Sequence, residues 1–274
     1  MQKIILLFFS LVIFTACSKI PSPETRYKTA DKIAKIASLK KQIYKTKNFS
    51  LLTYSTDLKI CKDSSIRTYI EGDGLAWISS STISNNPTPI NPMSLKLMLQ
   101  DPSKCKLYIA RPCQYVNSSK CEKKYWTSHR FSNEVIMSTD KVMDNIKSIY
   151  KNKSFTIYGY SGGGAVATLV STRRDDIDKL VTIAGNLDTE FWVKKHYLTP
   201  LYGSLNPADY SNELSKIKQI HLIGEKDNIV DISIFKSYES KYKNKKDIHF
   251  KIYKGFTHNK GWDDNWQHIL KNIE

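Results

Sequence analysis

From residue 93 onward the chain alternates between two apolar patterns. Short apolar runs occur at 106–110 (KLYIA), 155–158 (FTIY), 180–184 (LVTIA), 217–223 (IKQIHLI) and 248–253 (IHFKIY). Between and after them lie longer stretches, at 133–150, 162–174, 232–242 and 262–269, with apolar residues on one face. In 133–150 that face carries Val135, Ile136, Val142, Met143, Ile146 and Ile149. Short apolar runs read as buried strands and the 3.6-residue period reads as helix. Two earlier segments, 49–54 (FSLLTY) and 65–70 (SIRTYI), also read as strands, and 93–99 as a helix stopped near Asp101 and Pro102. Residues 79–93 are rich in Ser, Asn and Pro and read as loop. Strands alternating with helices predict an α/β fold with a mostly parallel sheet covered on both faces. The connection between 184 and 217 is long enough to form a small cap over a site.

The N-terminal third reads differently. Lys3 precedes IILLFFSLVIF at 4–14, which is too short to span a bilayer but suits the core of a signal peptide. Thr15, Ala16 and Cys17 follow, and a small residue before Cys17 resembles a bacterial lipobox, although Phe14 stands where leucine is commoner. That resemblance implies cleavage before Cys17, lipid on its sulfur and a membrane anchor. Ser18 after the cysteine resembles lipoproteins sent to the outer membrane. The expected organisation is a lipoprotein signal peptide at 1–16, a lipidated tether and amphipathic helix at 17–48, and one folded domain at 49–274. Within the second segment, 18–30 reads as tether and 31–47 as helix, its lysines opposite an apolar face. The cell envelope is oxidising, so Cys61, Cys105, Cys113 and Cys121 read as disulfide candidates. Four cysteines allow three pairings. The short polar loop between Cys113 and Cys121 favours that pair, with Cys61–Cys105 as the second.

A formal charge of +16 on 274 residues is spread over the whole length without a basic block. It reads as a solvated basic surface and gives no sign of a nucleic-acid partner. The cysteines and histidines show no zinc spacing, and EGDG at 71–74 has too few ligands for a calcium loop.

The densest chemistry lies in GYSGGGAVA at 159–167. GYSGG matches the G-x-S-x-G turn that presents a nucleophilic serine. GGGAVA matches a dinucleotide-binding fingerprint, with Asp188 as its acidic partner. Position separates the two, because the motif lies past the middle of the chain, whereas a dinucleotide loop belongs to a first βαβ unit. The nucleophile reading further demands an acid and then a histidine, each just past a later strand. Asp227 follows the run at 217–223, and His258 follows the run at 248–253. A serine hydroxyl needs a base to take its proton, and that base needs an acid to orient it. Ser161, His258 and Asp227 are therefore the expected nucleophile, base and acid, with Asp188 as the fallback acid. The oxyanion donors are expected at the backbone N–H of Gly162 and of Asp73, with Gly74 the alternative to Asp73. Arg111 is expected to pair with Asp73. Trp126, Thr127, His129 and Arg130 are candidate cleft residues, and the remaining histidines are expected to be surface or satisfied groups.

These segments together resemble the α/β-hydrolases over roughly 50–270. They resemble more narrowly a group of bacterial α/β-hydrolase lipoproteins, through IEGDGLAW at 70–77, NPTPINP at 86–92, YIARPCQY at 108–115, YWTSHRF at 125–131, GYSGGGAVATLV at 159–170 and AGNLDTEFW at 184–192. The resemblance implies the fold, the triad at the matching positions and a hydrolase label. It implies no substrate. Many hydrolases have His-Gly where this chain has Glu71-Gly72. The expected activity is hydrolysis of carboxylic esters or thioesters through an acyl-serine, without metal or cofactor, on a small or lipid-like acyl substrate. The rivals are a peptidase or amidase with the same triad and a non-catalytic envelope binding protein.

Overall fold

A computed structural model describes residues 20–274. The signal segment and Cys17 lie outside the described residues. In chain order the elements are α1 (Pro23–Ile36), β1 (Lys40–Lys45), β2 (Ser50–Ser55), β3 (Ser65–Ile70), α2 (Met93–Gln100), β4 (Lys106–Ile109), α3 (Asn133–Tyr150), β5 (Ser154–Tyr160), α4 (Gly162–Ser171), β6 (Ile177–Ile183), α5 (Thr189–Lys195), α6 (Ser211–Leu214), β7 (Gln219–Gly224), α7 (Ile232–Ser240), β8 (Ile248–Tyr253) and α8 (Trp262–Lys271). The strands form one sheet in the order β1-β2-β4-β3-β5-β6-β7-β8. Only β2 runs against its neighbours; from β4 across to β8 all pairs are parallel. This is the α/β-hydrolase fold. One buried cluster joins α3, α4 and α7 to one face of the sheet, and a second joins α1, α2 and α8 to the other.

The N-terminal region departs from expectation. Residues 18–30 were expected as a tether and 31–47 as a helix. The helix instead begins at Pro23, because the Ser22 hydroxyl accepts the Thr25 N–H at 3.2 Å and proline suits the first helical position. It packs on the domain through buried Ala30 and Ala34, and the Arg26 guanidinium donates to the carbonyls of Asn86 and Thr88. Residues 40–45 are an edge strand whose lysines face solvent, with only Tyr44 buried. Pairing with β2 imposes the strand where the local pattern does not. The sheet thus starts before residue 49. The described cysteines are bonded as Cys61–Cys105 and Cys113–Cys121.

Candidate active site

The site sits where β3, β5, β7 and β8 end. At the end of β5 the chain reverses into α4 through Ser161, whose backbone is left-handed (φ 53°, ψ −122°). An L-residue pays for that conformation in strain, which persists where the surroundings over-determine it. Here the Ser161 N–H donates to Ile183 O at 2.9 Å, and the Ser161 carbonyl accepts from Gly164 N and Asn186 N. The turn needs glycine behind it: a Cβ on Gly163 would lie 2.4 Å from the Ile70 carbonyl oxygen. Gly163 and Gly164 are thus packed against backbone, and Gly162 against the Asp73 carboxylate.

The structure brings Ser161, His258 and Asp227 together. The Ser161 Oγ lies 2.9 Å from His258 Nε2, and His258 Nδ1 lies 2.9 Å from Asp227 Oδ2. A carboxylate only accepts, so it fixes the proton on Nδ1 and leaves Nε2 free to take the serine proton. The other Asp227 oxygen accepts the N–H groups of Ile229 (2.8 Å) and Val230 (2.9 Å), which locks the acid. The His258 carbonyl is held from two sides, by the Tyr160 hydroxyl at 3.0 Å and the Trp262 indole at 3.2 Å. Tyr160 adjoins the serine in sequence, so it ties the nucleophile turn to the base loop. Nothing in the sequence around Tyr160 marks that role.

Ser161 and His258 line a cleft of about 370 Å³, with Gly72, Asp73, Gly74 and Tyr160 also on its wall. Leu75, Pro89, Ile90 and Met93 supply its apolar surface. None of residues 185–216, the expected cap, lines this cleft; they pack on α4 and α7 instead. The loop at 89–91 borders the cleft.

The turn after β3 is crowded with charge. Asp73 carboxylate oxygens accept from Arg111 Nη1 (3.1 Å) and Arg130 Nη1 (2.8 Å). Burial would raise this carboxyl, but the two guanidiniums hold it below its ordinary value. Arg130 was a candidate cleft residue and instead serves this ion pair. Trp126 donates to Ser84 O, and neither residue lines the cleft. Glu71 is buried and pushed up to about 7 by burial, against hydrogen bonds from Gly72 N–H and the Tyr108 hydroxyl. Both carboxylates of 71–74 are thus committed to partners within the protein. Asp188 is not near the base: it caps α5 through Phe191 N–H (3.0 Å) and accepts the Ser237 hydroxyl (2.6 Å). Burial pushes His221 down to about 3, and Thr182 Oγ1 lies 2.8 Å from its Nδ1.

The serine hydrolase (FSH1) family matches residues 82–253, more than half the chain. The chain belongs to this serine hydrolase family. The match includes Ser161 and Asp227 and stops short of His258. No curated protein matches the chain. Among solved structures, this serine hydrolase is similar to the Pyrococcus furiosus esterase Pf2001, with 14% identity, TM-score 0.61, and coverage of 87% of this chain and 93% of that one. It is also similar to Est1E from Butyrivibrio proteoclasticus, with 13% identity, TM-score 0.59, and coverage of 85% and 96%. A structure described as a membrane phospholipase A, a novel bacterial virulence factor, matches with 13% identity, TM-score 0.55, and coverage of 92% and 91%. At these identities the likeness is one of fold.

Proposed function

We propose that this serine hydrolase cleaves carboxylic esters or thioesters through an acyl-enzyme on Ser161. The observation that carries the reading is the hydrogen-bonded line from Ser161 through His258 to Asp227 at the floor of an open, partly apolar cleft. His258 Nε2 takes the Ser161 proton as Oγ attacks the acyl carbon, and the imidazolium is stabilised by Asp227. Collapse of the tetrahedral intermediate breaks the bond to the leaving alcohol or thiol, which takes the proton from His258. A water then repeats the sequence and frees the acid. The Gly162 N–H at the start of α4 and the Asp73 N–H are the proposed donors to the oxyanion.

The expected lipid on Cys17 would hold the enzyme at the cell envelope, by our reading at the outer membrane. Two disulfides support an oxidising compartment. Expression of the full chain and of Cys17→Ser with labelled palmitate tests the anchor, and equal labelling rejects it.

The catalytic reading is tested by intact mass after treating the full chain, in detergent, with a fluorophosphonate, beside Ser161→Ala. One adduct on the wild type and none on the variant supports an activated Ser161. Adducts on both would place the nucleophile elsewhere, and none on the folded wild type would favour a binding protein. Paired 4-nitrophenyl esters and anilides then separate esterase from amidase.

A further inference from the structure

The backbone ladder of the sheet ends just before the proposed oxyanion turn. Glu71 N–H still donates to Ile109 O at 3.1 Å, but among the described residues Gly72 has no strand partner. Side chains take over. Glu71 Oε1 accepts the Gly72 N–H at 2.9 Å, and Gln114 Nε2 donates to the Gly72 carbonyl at 2.9 Å. The two peptide planes flanking Gly72 are therefore each set by one side chain.

The second plane is the consequential one. The Gly72 carbonyl and the Asp73 N–H belong to the same peptide unit, and in a planar trans peptide they point in opposite directions. Fixing the carbonyl fixes the N–H. Among the described residues the Asp73 N–H donates to no protein group, and Asp73 lines the cleft beside Ser161.

Gln114 is placed for this task. It is buried, and its Oε1 accepts the Arg111 N–H at 3.1 Å while Nε2 serves Gly72. Because one partner is a donor and the other an acceptor, a single amide orientation satisfies both. Gln114 stands between two left-handed residues, Cys113 (φ 68°) and Tyr115 (φ 62°). Strain of this kind persists where neighbours impose it. Here they are the Cys113–Cys121 bond and the Thr88 hydroxyl, which accepts the Tyr115 N–H at 2.8 Å.

We propose that Gln114 is a positioning residue, whose amide holds the Gly72–Asp73 peptide so that the Asp73 N–H is aimed into the cleft as the second oxyanion donor. The proposal rests on the reading of Ser161 as nucleophile and goes beyond it by assigning the group that sets the oxyanion site.

The test uses hydrolysis of 4-nitrophenyl acetate and inhibition by a trifluoromethyl ketone, whose hemiketal oxygen occupies an oxyanion site. The enzymes are the full-length wild type, Ser161→Ala, Gln114→Met and Gln114→Glu, with melting curves run on each. Loss of one oxyanion donor costs about a hundred- to a thousandfold in kcat. A misaimed donor should cost about ten- to a hundredfold, with KM little changed and the ketone weakened by the same factor as kcat/KM. A raised KM with unchanged kcat, or ketone binding unchanged in a folded variant, overturns the proposal. If Gln114→Met does not fold, Gln114→Glu carries the test, since it keeps the length and the acceptor for the Arg111 N–H. Independently of any variant, the Asp73 amide proton of the wild type should move downfield on phosphonylation, and an unmoved resonance overturns the assignment. A wild type that hydrolyses nothing, or a fully active Ser161→Ala, instead removes the underlying catalytic reading.

Discussion

Replacing Glu71 by Gln should make the protein less sensitive to alkali. Glu71 is buried below the turn that follows β3. Its Oε1 accepts the Gly72 N–H (2.9 Å) and the Ser94 N–H (3.4 Å), and its Oε2 accepts the Tyr108 hydroxyl (3.2 Å). The charged and titratable groups around it are Arg111, Tyr108, Tyr115 and Tyr160. The hydrogen bonds favour the carboxylate, but burial outweighs them and moves the group from 4.5 to about 7. The folded chain then holds a proton that the unfolded chain has already released. That contribution to stability is fully present below pH 4.5 and is lost as the pH rises through about 7. A shift from 4.5 to about 7 corresponds to about 3 kcal/mol, most of which falls between about pH 5 and pH 8.5. Gln carries no such proton and keeps an acceptor for Gly72 and a donor toward Tyr108. Urea unfolding of both proteins at these two pH values isolates the effect, since other titrations cancel in the difference. The variant should gain about 2–3 kcal/mol relative to wild type across the interval. A difference constant to within about 0.5 kcal/mol would mean that Glu71 is ionised throughout and that its hydrogen bonds, not its burial, set its charge.

Three further outcomes follow from distances at the site. Asp227→Asn should leave the fold intact and lower kcat by about a thousand- to ten-thousandfold, because an amide no longer enforces the Nδ1 proton on His258; ester hydrolysis beside a melting curve checks both halves. Tyr160→Phe removes the hydroxyl that lies 3.0 Å from His258 O and 2.7 Å from Asn259 Oδ1. It should cost about 1 kcal/mol, read as a five- to tenfold slower fluorophosphonate reaction, and an unchanged rate would show that Trp262 alone holds the base loop. Gly162→Ala would set a Cβ 2.1 Å from Asp73 Oδ1, an atom pinned by arginine. About 1–3 kcal/mol of overpacking, seen as a lower urea midpoint, should accompany slowed acylation.

Most strands and helices after residue 93 were legible because each carries its own pattern, but α5 and α6 lie in the stretch read as a connection; that Ser161, Asp227 and His258 meet was legible because each follows a strand end. The glycines around Ser161 announce a tight turn whatever surrounds it. Other features exist only through partners. β1 buries just Tyr44 and is a strand because β2 lies beside it. The start of α1 was written in Ser22 and Pro23, but the polar run around them reads equally well as a tether. Nothing in the letters CQYV marks Gln114 as facing Gly72, 42 positions earlier. Arg130 reaches Asp73 across 57 positions and is no more visible in the sequence.

What assembles the site is the register of the parallel sheet, a property that no single strand displays. Ile70 of β3 lies opposite Ile109 of β4 on one side and Gly159 of β5 on the other. Counting two residues past that row along each strand gives Arg111, Gly72 and Ser161. The cation that steadies Asp73, the turn that carries the proposed oxyanion donor and the proposed nucleophile are thus lateral neighbours. The same logic runs at the other edge, where Gly224 of β7 lies opposite Tyr253 of β8, and Asp227 and His258 follow a few residues on. A slip of one residue between β3 and β5 would turn every side chain of one strand to the other face. It would also carry the Ile70 carbonyl away from Gly163, where the close backbone approach now leaves no room for a side chain. The glycine motif and the strand register therefore enforce each other. This explains why a local motif so short can mark the centre of a site drawn from four strands.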